Sequence, residues 1–194
     1  MSDKTRRKII TAATRLFTQQ GYARVTTRAI ADEAQVNEVT LFRHFGNKKN
    51  VFIACIENFT AQGFASNFEQ HLTGDFETDI THMARAQIQD MVENYAVIRM
   101  VMRDAQEVPE IKAAILDITA RNAARITAYF HDQIKAGAIR NDLDPAILAH
   151  AFDSLFSSYV LFSTIFGEHD QRQPPPEPVI QQLVSLFIYG TLNP

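Results

Sequence analysis

The 194-residue chain contains one cysteine, Cys55, and no tryptophan. A single cysteine excludes an intrachain disulfide and excludes the zinc sites that need several cysteines. The six histidines lack the spacing of a zinc-binding helix, so we expect no metal. Apolar residues make up 46% and charged residues 21%, which is typical of a folded globular protein rather than a disordered one.

Several other signals are missing from the chain. The longest interior uncharged run, residues 154–167, is too short to cross a bilayer, so we predict no membrane contact. The N-terminal apolar residues are spaced rather than contiguous, so we predict no signal peptide and a cytoplasmic location. There is no Gly-rich phosphate loop and no Gly-x-Ser-x-Gly elbow, so we predict neither catalysis nor a cofactor.

Charge is distributed unevenly, although the net charge of the whole chain is only −3. Residues 1–50 carry ten Lys or Arg and four Asp or Glu, a net charge of +6. The remaining residues carry nine basic and 18 acidic side chains, a net charge of −9. A basic head on an acidic body indicates that one end of the protein contacts an anionic polymer or surface.

Helical spacing dominates the first 46 residues. Apolar residues recur on one face of a helix that ends at Gly21, where glycine suits a C-terminal stop. Thr26 and Asn37 are good N-caps for two short helices, 27–34 and 38–45, which are joined by a tight turn. Two short helices behind a longer basic one are typical of a helix-turn-helix motif.

The spacing of apolar residues also predicts helices in the rest of the chain. We find no alternation of apolar and polar residues that would be typical of strands. Further helices are predicted at 48–72, 75–93, 95–104, 107–136, 145–166 and 177–191, with a proline-rich loop at 168–176. We therefore predict an all-α protein with a helix-turn-helix domain over 1–46 and a larger helical domain over 47–194.

The stretch 21–52 resembles the DNA-binding signature of the TetR family of transcriptional regulators. The matching positions are Gly21, Thr26, Thr27, Ile30, Ala31, Ala34, Val36, Thr40, Leu41, His44, Phe45 and Lys48. The resemblance implies an N-terminal three-helix DNA-binding domain followed by a helical domain for ligand binding and dimerisation. The chain departs from the family pattern at Gln35, Asn37 and Phe42, where Gly, Ser and Tyr are usual. A non-glycine residue fits the turn at position 35 if its φ is negative, and otherwise at some cost.

The candidate DNA-binding residues lie on the two short helices and at the start of the next one. Leu41 and Phe45 are four residues apart and must face the core, so the opposite face of helix 38–45 is the candidate recognition surface. Arg43 can bind guanine bidentately, whereas Thr26 and Asn37 can hold phosphates or act only as helix caps. Arg43 could also be an ordinary surface residue. The full set is Thr26, Thr27, Arg28, Asn37, Glu38, Val39, Thr40, Phe42, Arg43, His44 and Lys48.

The body is a candidate for dimerisation and for binding a small molecule. Helices 145–166 and 177–191 are apolar on more than one side, so they bury a second face in the chain's own core or in a twofold homodimer. Apolar residues and isolated polar ones on apolar faces are candidates for an effector pocket. These are Phe59, Met83, Gln87, Arg99, Met102, Arg103, Asn122, Phe156 and Tyr159. Cys55 is either a redox sensor or a buried inert thiol.

These observations predict a dimeric repressor that binds a pseudo-palindromic operator in double-stranded DNA. A small apolar or amphipathic effector would release it. The alternative is a DNA-bound protein whose body recruits a protein partner and has no small ligand. A cavity in the body distinguishes the two hypotheses.

Overall fold

The structure is a computed structural model that describes residues 3–104, 108–166 and 175–192, with the backbone alone for residues 164–166. The regular secondary structure of the described residues is helical, apart from an isolated antiparallel bridge between Ile139 and Leu192. The all-α prediction is therefore confirmed. Most of the predicted loop 168–176, and residue 107, lie outside the described residues. The α-helices are α1 Asp3–Gln20, α2 Thr27–Glu33, α3 Glu38–Phe45, α4 Lys48–Gln62, α5 Phe64–Asn67, α6 Phe76–Glu93, α7 Tyr95–Asp104, α8 Pro109–Lys135, α9 Pro145–Phe166 and α10 Glu177–Thr191.

The two short N-terminal helices begin where their caps predict. The Thr26 hydroxyl oxygen accepts a hydrogen bond from the Ala29 amide at 3.1 Å, and Asn37 Oδ1 accepts one from the Val39 amide at 2.9 Å. Each bond satisfies an amide that has no partner inside the helix. Capping by both residues is thus present in the structure.

The single long helix predicted over 48–72 is wrong. Helix α4 ends at Gln62, Gly63 is extended, and the chain continues as the short α5 and a 3-10 turn, Phe68–His71. The aromatic side chains Phe64 and Phe68 are both buried in this segment. The break allows both side chains to face the interior. The helical spacing of the sequence alone does not reveal this break.

The chain folds into two compact units, which differ from the predicted division at residue 46. The first contains Met1–Ala61 and Tyr95–Ile118, and the second contains Gln62–Asn94 and Thr119–Pro194. The core of the first unit includes Val51 and Phe52 from α4 and Met100 from α7 beside residues of α1–α3. The three-helix motif therefore buries its apolar face against later parts of the chain.

The second unit is built around phenylalanine rings on α8, α9 and α10. The rings of Phe130, Phe152 and Phe187 lie with centroids 5.5–6.2 Å apart, and Phe156 contacts Phe152 at 4.9 Å. All four side chains are buried. Helix α6 packs against α9 and α10. Such aromatic pairs add stabilisation beyond the area that they bury.

Candidate DNA-binding surface and effector pocket

Helix α3 presents one buried and one exposed face. Leu41 and Phe45 are buried, as predicted from their spacing, whereas Val39 is 72% exposed and Phe42 45% exposed. Arg43 is also exposed and has no ion pair among the described residues. An exposed apolar side chain beside an unpaired arginine matches the chemistry of a thymine methyl and a guanine edge in the major groove.

A hydrogen bond connects the two short helices near their N-termini. The Thr27 hydroxyl donates to Glu38 Oε1 at 2.6 Å. This bond spans the helix-turn-helix and holds the start of α3 against the start of α2. Both residues were predicted to contact DNA, and the structure gives each of them a partner within the protein. Arg28 is exposed, and Thr40 and His44 are half-buried.

Lys48 lies at the start of α4 and turns back toward the loop between α1 and α2. Its Nζ donates to the carbonyl oxygens of Tyr22 and Val25, each at 2.9 Å, and lies 4.3 Å from the centre of the Tyr22 ring. Burial lowers the pKa of Lys48. The side chain thus anchors this loop, and one N–H of the ammonium group remains for a phosphate.

The turn between α2 and α3 contains a strained residue. Gln35 has a φ of +55°, the left-handed region that disfavours residues with a Cβ. The alternative in which its φ is negative is therefore wrong. The Val36 amide donates to the Ala31 carbonyl at 3.0 Å and closes the turn around this residue.

Replacing Gln35 with glycine is expected to raise the free energy of unfolding by about 0.5–1 kcal/mol, because glycine adopts this φ without steric cost. Urea unfolding of the two proteins measures the difference. Gln35→Ala is the matched control, since alanine keeps the Cβ and should give no gain. A glycine variant no more stable than the alanine variant would contradict the assignment of strain.

The C-terminal end of α7 binds the loop that follows α1. The Asp104 carboxylate accepts a hydrogen bond from the Tyr22 amide at 3.0 Å, and the Arg103 guanidinium donates to the Phe17 carbonyl at 3.0 Å. Arg103 also pairs with Asp104 at 2.8 Å. Gly21 lies in this loop with a φ of +84°. A Cβ at this position would lie 3.4 Å from the Arg103 guanidinium. Arg103, predicted to bind an effector, is instead committed to this contact.

The second unit contains a pocket of about 280 Å³ beside α5, the 3-10 turn and α6. Its exposed walls are mostly apolar, although four of its lining residues carry polar groups. They include Asp79, which is buried and accepts hydrogen bonds from the Thr73 amide at 2.6 Å and the Gly74 amide at 3.2 Å. The lining residues are Phe64, Phe68, His71, Leu72, Asp79, His82, Met83, Arg85 and Ala86. A concave apolar site with few polar groups is typical of a small-molecule pocket.

Only Met83 of the predicted effector residues lines this pocket. Gln87 is buried four residues after Met83. Its Nε2 donates to Asp153 Oδ1 and the Ser157 hydroxyl, both at 2.9 Å, while its Oε1 has no partner among the described residues. Phe156 is fully buried in the core described above. The other predicted residues do not line it: Arg99 and Met102 are exposed on α7 in the first unit, and Phe59, Asn122 and Tyr159 are half-buried.

Tyr129 connects α8 to the wall of the same pocket. Its hydroxyl donates to Asp79 Oδ2 at 3.4 Å. Burial and the neighbouring Asp79 carboxylate raise the pKa of Tyr129, so the phenol stays protonated and can keep donating. The Asp79 carboxylate thus accepts hydrogen bonds from neutral donors on both of its oxygens.

Comparison with known proteins settles which family has this arrangement. Residues 9–55 match the family described as bacterial regulatory proteins, tetR family, and residues 81–190 match the AefR-like transcriptional repressor, C-terminal domain. The chain belongs to the TetR family. Members of this family are transcriptional regulators rather than enzymes, and they bind DNA and dimerise.

Individual relatives and solved structures match this chain over nearly its full length, at low sequence identity. The uncharacterized HTH-type transcriptional regulator YvkB of Bacillus subtilis is 22% identical, with 96% of each chain covered. A candidate TetR-family regulator from Mesorhizobium loti has a TM-score of 0.79 at 20% identity, and all of both chains is covered. A candidate regulator from Saccharomonospora viridis in complex with choline has a TM-score of 0.74 at 21% identity, also with full coverage of both. At these identities the structures show a shared fold.

Cys55 of this TetR-family chain is a buried thiol. It is 1% exposed, and its Sγ donates to the Ile10 carbonyl at 3.7 Å. Burial raises its pKa to about 11, against smaller opposing effects of Thr14 and Arg6. A thiol that is both inaccessible and protonated is a poor nucleophile, which argues against the redox-sensor alternative.

Native Cys55 is expected to react with a thiol reagent at pH 8 at least about a hundredfold more slowly than free cysteine, because its thiolate fraction is smaller and it is shielded. Timed labelling followed by mass spectrometry measures this rate. Protein unfolded in urea is the control and should label completely. Since the folded state holds the proton up to about pH 11 and the unfolded state loses it near 9, stability should fall between these values. Fast labelling of the native protein would contradict the burial argument.

Sequence reasoning missed the pocket wall and the α7 contact for different reasons. Phe64, Phe68 and Leu72 fall in the segment that was predicted as one helix, so their convergence was hidden. Asp104 belongs to a predicted helix end, but no local pattern indicates that its carboxylate binds an amide 82 residues away. The acidic residue at a helix C-terminus was the one available signal, because a carboxylate there is unfavourable without a partner.

Proposed function

We propose that the protein is a homodimeric cytoplasmic repressor that binds a pseudo-palindromic operator and is released by a small, largely apolar effector. The observation that carries the proposal is the exposed face of α3, with Val39, Phe42 and Arg43 presented together. Two such helices related by a twofold axis would enter adjacent major grooves of one operator. The Thr27–Glu38 bond supports this role, because it connects the start of α3 to the start of α2.

Exposed apolar residues of α9 and α10 support the dimer. Ile147 and Phe162 on α9 are 69% and 62% exposed, and Leu186 and Tyr189 on α10 are 69% and 78% exposed. By length and composition alone the segment Pro145–Ser163 could also cross a bilayer, a test that apolar helices of other proteins pass as well. Asp153, Ser154 and Ser158 are exposed within it, which favours a protein partner over lipid.

The pocket in the second unit supports an effector over the alternative of a body that only recruits a protein. Its volume of about 280 Å³ suits a compact molecule, and its apolar lining residues, among them Phe64, Phe68 and Met83, suit an apolar one. The choline complex of the Saccharomonospora viridis protein is a precedent for a small ligand on this fold. Effector binding would favour a conformation with lower DNA affinity, and DNA would weaken effector binding equally.

The test begins with selection of binding sites from a random duplex library, followed by affinity measurements on the selected site and on single-base variants. Arg43→Ala is expected to lose about tenfold or more of the discrimination at one base pair, because a bidentate contact to guanine is removed. Lys112→Ala, an exposed change on α8, should leave discrimination unchanged. Equal discrimination by wild type and Arg43→Ala would remove Arg43 as a base-reading residue. No selected consensus with wild type would refute the proposed function.

A further inference from the structure

The exposed side of α1 forms one wall of a basic groove that does not include α3. The groove encloses about 460 Å³ and is completed by the end of α2 and the following turn. We call it the α1 groove. Its lining residues are Lys4, Arg7, Lys8, Thr11, Ala12, Arg15, Glu33, Ala34 and Gln35.

Most of the positive charge in the α1 groove is uncompensated. Arg15 pairs with Glu33 at 2.6 Å, and this bond fixes α1 to the end of α2. Lys4, Arg7 and Lys8 are exposed and have no ion pair with any described residue. The nearest acid in sequence is Asp3 at the start of the helix. Three unpaired cations in one concave surface attract a polyanion more strongly than scattered surface lysines do.

The unpaired cations lie close together along the helix. Lys4 and Lys8 are about one turn apart on the face of α1 that continues with Thr11, and Arg7 precedes Lys8. They extend over about 6 Å at 1.5 Å per residue. Phosphates of one DNA strand advance by about 3.4 Å along the duplex axis, so these cations can contact two successive phosphates.

The α1 groove reaches the turn that precedes α3. Gln35 lines the groove, and Asn37, which caps α3, follows two residues later. Gln35 is held in its left-handed conformation at this junction. A duplex read by α3 would therefore continue past the turn toward the cations of α1.

We propose that the α1 groove binds the phosphate backbone that flanks each half-site, beyond the base pairs read by α3. This inference rests on the proposed function, because it requires α3 to place the duplex. The groove supplies ammonium and guanidinium groups. Its lining contains no aromatic side chain, and Gln35 is its only side-chain amide. It is therefore a positioning surface that adds affinity and salt dependence without adding sequence preference.

The test uses the full-length protein and the operator selected above, extended by ten base pairs of arbitrary sequence on each side. Lys4→Gln/Lys8→Gln should reduce the slope of log affinity against log salt by about 1.8, because each of the two lysines that binds a phosphate contributes about 0.9. Its affinity deficit relative to wild type should therefore shrink by about twelvefold between 50 and 200 mM salt. Discrimination among single-base variants should stay unchanged. Hydroxyl-radical footprints should lose protection only outside the half-sites.

Lys112→Gln/Lys135→Gln is the matched control, because it removes the same charge from exposed positions on α8. It should leave the slope within about 0.3 of wild type. Thr11→Lys, which adds a cation to the same face of α1, should steepen the slope by about 0.9. Circular dichroism confirms that each variant is folded.

The results separate the two proposals. If wild type selects an operator but the groove variants match the control, the α1 groove does not bind DNA and this inference is overturned. The inference is also overturned if the reduced slope persists on an operator trimmed to the half-sites, since flanking phosphates are then absent. If wild type selects no operator, the proposed function itself fails.

Discussion

Lys48→Met is expected to lower the free energy of unfolding by about 2–3 kcal/mol. The ammonium group donates to two backbone carbonyls, those of Tyr22 and Val25, and lies over the Tyr22 ring. Hydrogen bonds from a charged donor are worth about 1.5–3 kcal/mol each, and partial exposure reduces the sum. Methionine keeps the length of the side chain and removes only its charge and donors. Urea unfolding at fixed ionic strength measures the change.

Lys49→Met is the matched control for that prediction. The neighbouring Lys49 makes one ion pair with Glu110 at 3.6 Å between partly exposed groups. Such a pair contributes about 0–1 kcal/mol, so the control should be nearly as stable as wild type. Equal losses for the two variants would show that the contacts of Lys48 to the loop carry little energy. A weaker, sequence-independent DNA affinity of the Lys48 variant would separately report a phosphate contact.

Leu186→Glu is expected to convert the dimer to monomers and to weaken operator binding at least about a hundredfold. Leu186 is 69% exposed in the single chain, at the apolar surface proposed to meet its symmetry mate. A twofold axis places the new carboxylate in the interface twice, and burying an unpaired charge costs several kcal/mol. Monomers would bind half-sites separately and lose the gain in effective concentration. Analytical ultracentrifugation and titration of the operator measure the two effects.

Leu116→Glu makes the same chemical change at a residue that is 59% exposed on α8 in the first unit. It should remain dimeric and bind the operator within about threefold of wild type, since surface substitutions cost little. If Leu186→Glu stays dimeric at micromolar concentration, α10 does not form the interface. If it is monomeric but binds the operator as wild type does, the dimer is not needed for DNA recognition.

The two short helices of the helix-turn-helix could be predicted from sequence because their determinants are local. Thr26 and Asn37 cap helices within three residues of themselves, and the spacing of Leu41 and Phe45 fixes the orientation of α3. The long-range contacts could not be predicted in the same way. Lys48 reaches back 26 residues to Tyr22, and its charge at a helix N-terminus suggested a phosphate contact rather than a loop anchor.

The pocket beside α6 depends on a break that the sequence signals only weakly. Gly63 is compatible with both a helix interior and a helix end, and the apolar residues after it keep a spacing that a helix would also have. In the structure, α5 and the 3-10 turn pack against α6, and Phe64 and Phe68 are buried there. This packing favours a break over a continuous helix. Polar residues on apolar faces were a poor guide, because Gln87 and Arg103 satisfy neighbouring groups of the protein.

The contact of Arg103 and Asp104 with the α1–α2 loop affects how this protein can be recombined with other regulators. The unit that contains the helix-turn-helix is not a continuous N-terminal segment, since Tyr95–Ile118 also belongs to it. A chimera that exchanges only residues 1–46 would pair the Phe17 carbonyl and the Tyr22 amide with a foreign helix end. Transferring residues 95–118 together with the N-terminal 61 would keep both partners from one parent. Operator specificity should therefore be exchanged as two segments of chain, inserted together.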